Sequence, residues 1–248
     1  FGGEDEFFLY SMVKEWDGFL ALSTEKVGDW LLPTMQRLIR ASHLSKPIDQ
    51  APKVSVLIPA HGNPLYTLSC IYALIKQETN VCFDLHIADD NPDDPLLSGY
   101  MARLEAPHIH YYMNRSNIGF TLNANQAAAR AKSELIIFLN NDTYCHPLWL
   151  DQLVTTYEYL IDKSPVGVIG SKVLHPNLLV QESGCHLSQG GIPHPLGRGK
   201  HAFDPEFSYL KEVDFVSACS MLVQRDLFQD LGGFDKSRRR SINQRNEC

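Results

Sequence analysis

The sequence contains no long hydrophobic run. Its longest apolar stretches, residues 54–59 and 135–139, are far shorter than the roughly 20 residues that a membrane-spanning helix requires. The N-terminus has Glu4, Asp5 and Glu6 where a signal peptide would have a basic and then an apolar region, so we expect no signal peptide. The six cysteines form no Cys-x-x-Cys pair and no cluster with zinc spacing. These features are typical of a cytoplasmic protein with free or buried thiols.

Basic charge is also scarce. The chain has 22 Lys and Arg against 29 Asp and Glu, a net charge of -7, so we expect no nucleic-acid partner. The sequence lacks both Gly-x-Gly-x-x-Gly and Gly-x-x-x-x-Gly-Lys-Ser/Thr. Their absence disfavours a dinucleotide-dependent oxidoreductase and a P-loop enzyme. The 248 residues suffice for one large domain with appendages.

From Lys53 onwards, short apolar runs alternate with helical segments. This rhythm predicts an α/β fold, with a mostly parallel sheet and helices on both faces. The predicted strands are residues 54–58 (stopped by Pro59), 83–88, 108–112, 135–139 and 166–169, and the predicted helices are residues 65–77, 121–131 and 147–160.

The two ends of the chain have different patterns. Residues 1–31 predict a helix ended by Gly18 and a short buried strand at residues 19–22. Residues 42–52 are polar, contain two prolines and predict a linker. Residues 236–248 are basic and polar without an apolar period, which predicts a disordered tail. Such a basic segment could also contact an anionic membrane surface, as a peripheral attachment at its inner face.

Polar loops follow three of the predicted strands, at residues 59–63, 89–94 and 140–143. Ligands of open α/β sheets bind at the carboxyl ends of the strands, so we expect these loops to share one rim. Carboxylates there could hold a hard divalent cation. Asp142 is the predicted metal contact because it directly follows a strand. The alternative is that Asp142 and Thr143 only cap the next helix.

These loops, in this order, resemble family 2 glycosyltransferases of the GT-A fold over residues 52–235. Residues 54–61 resemble the opening strand and nucleotide loop, and residues 87–94 resemble the acidic second loop. Residues 114–120, with Asn125, are similar to the Asn-x-Gly-Phe segment beside the donor. Residues 138–143 resemble the DxD motif, with Asn140 in its first place. Residues 216–223 and 231–235 resemble the acceptor-side segment.

The resemblance implies a nucleotide-diphosphate sugar donor, UDP- or dTDP-linked, and a saccharide or other hydroxyl acceptor. It implies inversion at the anomeric carbon of the sugar and a role in polysaccharide or cell-surface glycan synthesis. It also implies a divalent cation, Mg²⁺ or Mn²⁺, bound to Asp142. The residues that it implies for donor binding are Pro59, Ala60, His61, Asp89 (on the nucleobase), Asn117, Gly119, Asn125, Asn140 and Asn141. On the acceptor side it implies Cys219 and Ser220.

The sequence departs from the family at the catalytic base. The family's Glu-Asp motif follows the Gly-Gly-Phe-Asp segment, but here no acid occurs between Asp235 and Glu247. Residues 2–9 resemble that motif instead, which makes Asp5 the candidate base. We therefore predict three parts: residues 1–50, similar to the end of a preceding transferase domain, the transferase domain 51–235, and the tail 236–248. The alternative is that residues 1–31 fold back and complete the site of the same domain.

Two other functions compete with an active transferase. One is a catalytically inactive module that binds nucleotide sugars, because the base is missing from its usual place. The other is a sugar-1-phosphate nucleotidyltransferase. That class carries a glycine-rich basic loop after its first strand, whereas residues 60–64 contain no Lys or Arg.

Overall fold

The computed structural model describes residues 13–46 and 51–236. We number the strands in chain order: β1 (Val54–Ala60), β2 (Phe83–Asp89), β3 (Ile109–Met113), β4 (Leu135–Leu139), β5 (Val168–Gly170), β6 (Val173–Leu174), β7 (Val180–Glu182), β8 (Cys185–Leu187), β9 (Pro193–Pro195) and β10 (Ser220–Gln224). The helices are α1 (residues 13–20), α2 (Thr24–Lys26), α3 (Leu32–Ala41), α4 (Pro64–Ile75), α5 (Leu96–Met101), α6 (Phe120–Arg130), α7 (Trp149–Ile161) and α8 (Arg225–Asp230).

One six-stranded sheet forms the centre, in the order β3-β2-β1-β4-β10-β5. Strands β1 to β4 are parallel to one another, whereas β10 runs antiparallel to both β4 and β5. Two short hairpins, β6-β7 and β8-β9, lie in the segment between β5 and β10. The predicted mostly parallel α/β sheet is therefore confirmed. The antiparallel strand β10 was not predicted.

Helices cover both faces of the sheet, so its strands are buried on two sides. On the α4 face, which α3, α4 and α7 cover, Val56 and Ile137 join one apolar cluster. On the α6 face, which α6 and α8 cover, Leu57 and Phe138 join another. A strand buried on both faces carries an almost continuous apolar run, which is the pattern that residues 54–58 and 135–139 show.

The first strand continues through Pro59 to Ala60, so the prediction that Pro59 stops it is wrong. Pairing of β1 with β2 extends to Ala60 and Asp89, whereas pairing with β4 ends at Leu57 and Phe138. Proline is tolerated where a strand has lost one neighbour, because no ladder hydrogen bond on that side is broken. Ala60 and the loop after it are thereby carried to the rim of the sheet.

The predicted strand at residues 19–22 is also wrong, because α1 continues through Gly18 to Leu20. The Ala21 amide donates to the Asp17 carbonyl at 3.2 Å, a helical bond that spans Gly18. A four-residue apolar run cannot by itself distinguish a helix from a strand. Here Phe19 points to the core, where its ring centroid lies 4.8 Å from that of Tyr72 on α4.

Residues 13–46 share their core with the sheet. Seven buried side chains of this segment join the apolar cluster of the α4 face: Phe19, Val27, Leu31, Leu32, Met35, Ile39 and Leu44. The predicted linker contributes as well, since Leu44 is fully buried in a 3-10 turn, His43–Ser45. The alternative in which the N-terminal segment folds back requires this packing. That residues 1–50 are the end of a preceding transferase domain stays a prediction.

Two further predictions, on membrane-spanning helices and on the C-terminal tail, can be compared with only part of the chain. No helix within residues 13–46 or 51–236 is long and apolar enough to span a membrane. Of the predicted tail, residues 237–248 lie outside the described part of the chain.

The packing of residues 13–46 is testable through Leu31, which is 0% exposed. We expect Leu31→Ala to lower the free energy of unfolding of the whole domain by about 2–5 kcal/mol, because it leaves a cavity in the shared core. Chemical denaturation monitored by tryptophan fluorescence measures this change. The control is Asp29→Ala, an exposed position in the same turn, which should leave the midpoint nearly unchanged. Equal midpoints for both variants would show that the segment is not part of the folded unit.

Candidate functional site

The carboxyl end of β2 carries two buried acids with different partners. Asp89 is 1% exposed and accepts hydrogen bonds from the Asn91 amide at 2.9 Å and the Tyr111 hydroxyl at 2.7 Å. Burial raises the pKa of Asp89, and the bond from Tyr111 opposes that rise. Asp90 is 3% exposed and accepts hydrogen bonds from the loop between β3 and α6. The two acids therefore fix two different parts of the rim.

Asp90 holds the loop of residues 114–119 through three hydrogen bonds. Its Oδ1 accepts from the Ile118 amide and from Asn114 Nδ2, each at 2.9 Å, and its Oδ2 accepts from the Gly119 amide at 2.7 Å. Gly119 has a φ of 81°, a left-handed conformation that favours glycine, and it begins α6. Asn117 Oδ1 also accepts from the Gly119 amide, at 3.0 Å. The sequence did not single out Asp90, although its carboxylate organises the predicted donor loop.

The loop after β1 is bonded to both neighbouring loops. His61 Nδ1 lies 3.3 Å from the Asp90 carbonyl, and the His61 carbonyl accepts from Asn141 Nδ2 at 3.3 Å. Pro59 and Ala60 are buried behind it, while the side chain of His61 is exposed. The three strand-end loops thus form one continuous rim, as their sequence positions predicted.

The end of β4 presents one free carboxylate directly after two asparagines that are hydrogen-bonded to other elements. Asn140 donates its amide to the Cys219 carbonyl at 3.0 Å and accepts from Thr143 Oγ1 at 2.6 Å, so the backbone here is fixed. Asn141 Nδ2 also donates to Thr67 Oγ1 at 3.0 Å. Asp142 is exposed, and within the described residues its carboxylate has no hydrogen-bond or ion-pair partner. Carboxylate oxygens are the ligands that Mg²⁺ and Mn²⁺ prefer, so Asp142 fits a divalent cation.

A cavity of about 430 Å³ opens beside Asp142. Strand β10 forms one wall because Ser220 pairs with Leu139 at the end of β4. Both predicted acceptor-side residues, Cys219 and Ser220, line this cavity. The Ser220 hydroxyl is fixed by Ser171 Oγ at 2.7 Å and by a hydrogen bond from Trp149 Nε1 at 3.0 Å. The structure therefore brings the predicted metal contact and the predicted acceptor side together.

Helix α1 closes the opposite side of the cavity, where Val13 and Trp16 are among the lining residues. Trp16 stacks on Tyr66 with ring centroids 6.3 Å apart. Next to it, Glu15 pairs with Lys76 Nζ at 3.0 Å and accepts from the Tyr144 hydroxyl at 2.7 Å. The sequence predicted none of these contacts, because they join α1 to α4, to its C-cap and to the loop after β4, at least 50 positions away. Asp5, the candidate base, lies outside the described residues.

Asn125 has a role that the sequence did not predict. Its Nδ2 donates to the Phe234 carbonyl and its Oδ1 accepts from the Phe234 amide, both at 2.9 Å. The side chain thus joins α6 to the Gly-Gly-Phe-Asp segment. Gly233 passes so close that an added Cβ would lie 2.6 Å from Asn125 Oδ1, and its φ of 77° favours glycine as well. This bond orders the chain that leads to residue 236.

The two thiols near Asp142, those of Cys70 and Cys219, have raised pKa values. Burial and the nearby Asp142 carboxylate raise the pKa of Cys219 to about 12, and burial raises that of Cys70 to about 12. The thiolate is the nucleophilic form of cysteine, so raised pKa values disfavour both side chains as nucleophiles at neutral pH. Asp142 is the exposed carboxylate at this end of β4.

Comparison with known proteins places these features in a family. The sequence matches the family described as Glycosyl transferase family 2 over residues 55–232. It is 27% identical over 197 residues to the O-antigen biosynthesis protein RfbC of Myxococcus xanthus, covering 77% of this chain and 15% of that protein. It is 23% identical over 198 residues to the uncharacterized protein y4gI of Sinorhizobium fredii, covering 77% of this chain and 21% of that one. The chain thus spans about a fifth or less of these relatives.

Two solved structures share the fold. The mannosyltransferase PcManGT from Pyrobaculum calidifontis, in complex with GDP-Man and Mn²⁺, aligns with a TM-score of 0.51 at 18% identity, covering 92% of this chain and 59% of that one. GalNAc-T7 with UDP, GalNAc and Mn²⁺ aligns with a TM-score of 0.54 at 15% identity, covering 75% of this chain and 38% of that one. Identities this low establish the GT-A-type fold and nothing further.

The role of Asp90 in the rim is testable by stability. We expect Asp90→Ala to lower the free energy of unfolding by about 2–4 kcal/mol, because the Ile118 amide loses its acceptor and the Gly119 amide and Asn114 Nδ2 each lose one of two acceptors. Urea denaturation measures the loss. Asp93→Ala, an exposed acid in the same loop, is the matched control and should change stability by less than about 0.5 kcal/mol. A similar small effect at both positions would contradict the proposed anchoring.

Proposed function

Because the chain belongs to glycosyl transferase family 2, we propose that it transfers a sugar from a nucleoside-diphosphate sugar to a hydroxyl group of a saccharide or other acceptor, with inversion. The donor would lie along the rim formed by the loops after β1, β2 and β4. The acceptor would enter the cavity beside Asp142. We further propose that the nucleobase of the donor is uridine or thymidine. The shared fold does not decide this point, since one solved protein of this fold carries GDP-Man and another carries UDP.

The observation that carries the proposal is the free Asp142 carboxylate at the junction of rim and cavity. A divalent cation held by Asp142 would act as a Lewis acid that offsets the charge of the departing diphosphate. Asn140 and Asn141 hold the backbone around Asp142, since their bonds tie β4 to β10 and to α4. The protein therefore presents a pre-positioned ligand, which costs little reorganisation on binding.

Other chain groups would bind and orient the donor. The exposed His61 side chain and the residues at Asn117 and Gly119 border the same rim, and Asp90 ties these two loops together. Asp89 would reach a nucleobase only through the remaining lone pairs of its two occupied oxygens. Because Asp89 is buried, we expect it to orient the nucleobase of the donor through a hydrogen bond rather than to gain or lose a proton.

The acceptor hydroxyl must lose a proton during transfer, and Asp5 is the proposed base. Among the described residues that line the cavity, Asp142 is the one carboxylate. This observation also favours the second candidate function, a catalytically inactive module that binds nucleotide sugars. The two candidates share donor binding and differ in turnover.

A place in polysaccharide or cell-surface glycan synthesis rests on the relative described as an O-antigen biosynthesis protein. That relative is much longer than this chain, so its pathway is carried over as a proposal. An acceptor that is itself a growing saccharide agrees with the open cavity next to Cys219 and Ser220.

Donor binding is tested by calorimetric titration with UDP, dTDP and GDP, each with and without Mn²⁺. We expect Asp142→Asn to weaken binding in Mn²⁺ by roughly tenfold or more, about 1.4 kcal/mol, because the metal loses its protein ligand. Without Mn²⁺ the variant and the native chain should bind equally. Asp162→Asn, an exposed acid at the end of α7, is the control and should behave as the native chain does. No binding of any diphosphate with or without Mn²⁺ would overturn both candidate functions.

Turnover then separates the two candidates. For a transferase with Asp5 as base, Asp5→Asn should lower kcat for donor cleavage by roughly 10²–10⁴-fold while leaving donor affinity unchanged. Glu6→Gln, a neighbouring acid, should retain the native rate. Metal-dependent binding without turnover of any donor would identify the inactive module, and equal rates for both variants would remove Asp5 from the mechanism.

A further inference from the structure

A second group of metal-binding side chains lies on β2 and β3, away from Asp142. The group consists of Asp84, His86 and His110, whose ligand atoms all lie within 4.8 Å of one another. We call it the β2-β3 triad. Asp84 is five positions before Asp89 on β2, which places it roughly 16 Å from the rim at about 3.3 Å per residue. The triad is therefore separate from the donor site.

The charge of Asp84 lacks an ordinary counter-ion. Its carboxylate is 6% exposed, and among the described residues it contacts no Lys or Arg. Its Oδ2 lies 3.1 Å from His86 Nε2 and 3.5 Å from His110 Nε2, while the buried Oδ1 has no hydrogen-bond partner. Buried carboxylates in proteins are normally paired with a cation or coordinate a metal. The unpartnered oxygen and the convergent imidazoles favour the second arrangement.

We propose that the β2-β3 triad binds a divalent transition-metal ion of the Zn²⁺ class. Two ligands about 2.1 Å from a tetrahedral ion lie roughly 3.4 Å apart, close to the separations between Asp84 Oδ2 and the two His Nε2 atoms. Two imidazoles with one carboxylate form a donor set that Zn²⁺ accepts, whereas Mg²⁺ prefers oxygen ligands alone. Asp142 and the triad thus suit different ions.

The surroundings of the triad support this assignment. The Tyr112 hydroxyl lies 3.3 Å from His86 Nδ1, so it can accept the Nδ1 proton and leave the Nε2 lone pair directed at the ion. Arg130 covers the ring of Tyr112, 4.5 Å from its centroid, and forms no ion pair with Asp84. His110 is 32% exposed, which gives an ion an entry path from solvent and leaves room for a water as fourth ligand.

The bound ion would join two strands at the sheet edge. Strand β3 is the outermost strand next to β2. Asp84 and His86 belong to β2, and His110 lies directly opposite His86 on β3. A ligand that binds the folded state raises its stability, so the ion would act as a cross-strand fastening rather than as a reactant.

The test uses the full chain with Asp142→Asn, which removes the donor-side metal ligand and leaves the triad intact. Calorimetric titration with Zn²⁺ should give one site per chain. Adding His110→Gln should weaken this site by tenfold or more, because loss of a ligand costs at least as much as loss of its supporting contacts. The matched control is His186→Gln, since His186 is exposed, pairs with Asp214 at 3.3 Å and lies opposite His194 on β9, away from β2 and β3. Among the described residues these groups are not part of a three-ligand cluster. That variant should bind Zn²⁺ as its parent does.

Cobalt and melting measurements complete the experiment. Co²⁺ should give the visible absorption of four-coordinate ligation without a thiolate charge-transfer band, which distinguishes the triad from the free cysteines. Zn²⁺ should raise the Tm of the parent and of the His186→Gln chain, each relative to its own metal-free value, and should not raise that of the His110→Gln chain. Absence of a Zn²⁺ site, or an affinity unaffected by His110→Gln, would overturn the proposal. Nucleotide binding by the native chain is measured separately, so failure of the triad would not be confused with failure of donor binding.

Discussion

The three hydrogen bonds that converge on the buried Asp90 carboxylate are the constraint on which the candidate site depends. They tie the end of β2 to the loop before α6, and the Asp90 carbonyl is within hydrogen-bond distance of His61 on the loop after β1. Hydrogen bonds to a charged acceptor are stronger than neutral ones, and here they are shielded from water. The loops that would contact a donor are therefore held in place before any ligand arrives, which lowers the entropic cost of binding.

The antiparallel strand β10 supplies the second half of the site. Because it pairs with β4 in the reverse direction, the start of β10 lies beside the end of β4, and Cys219 meets Asn140. A parallel strand in this position would have placed Ser220 at the opposite end of the sheet, beside the amino end of β4. The reversal joins the proposed donor rim, which is built from parallel strands, to the cavity beside Asp142. The predicted metal contact and the predicted acceptor side therefore lie next to each other.

The sequence predicted the parallel half of the fold well, since strands buried on both faces carry apolar runs that end in visible polar loops. It did not predict β10 or the helical state of residues 19–20, since a short apolar run has no period that distinguishes a strand from a helix. For the site, Asp142 and the shared rim could be inferred from positions along the chain. The anchoring by Asp90, the Asn125–Phe234 bond and the β2-β3 triad could not, because each joins residues from different elements without a local motif.

Asp142 and Asp84 are both carboxylates of this sheet, and they differ in how much of the side chain is exposed to solvent. Asp142 is exposed and free among the described residues, so its charge is solvated, and the proposed binding of a cation with a diphosphate there would be reversible. Asp84 is buried between two imidazoles, with its Oδ2 3.1 Å from His86 Nε2 and 3.5 Å from His110 Nε2. A charge that is maintained in the interior needs a permanent partner. Under the two proposals, the same sheet would hold a transient cation at the carboxyl end of its strands and a lasting one near their amino ends.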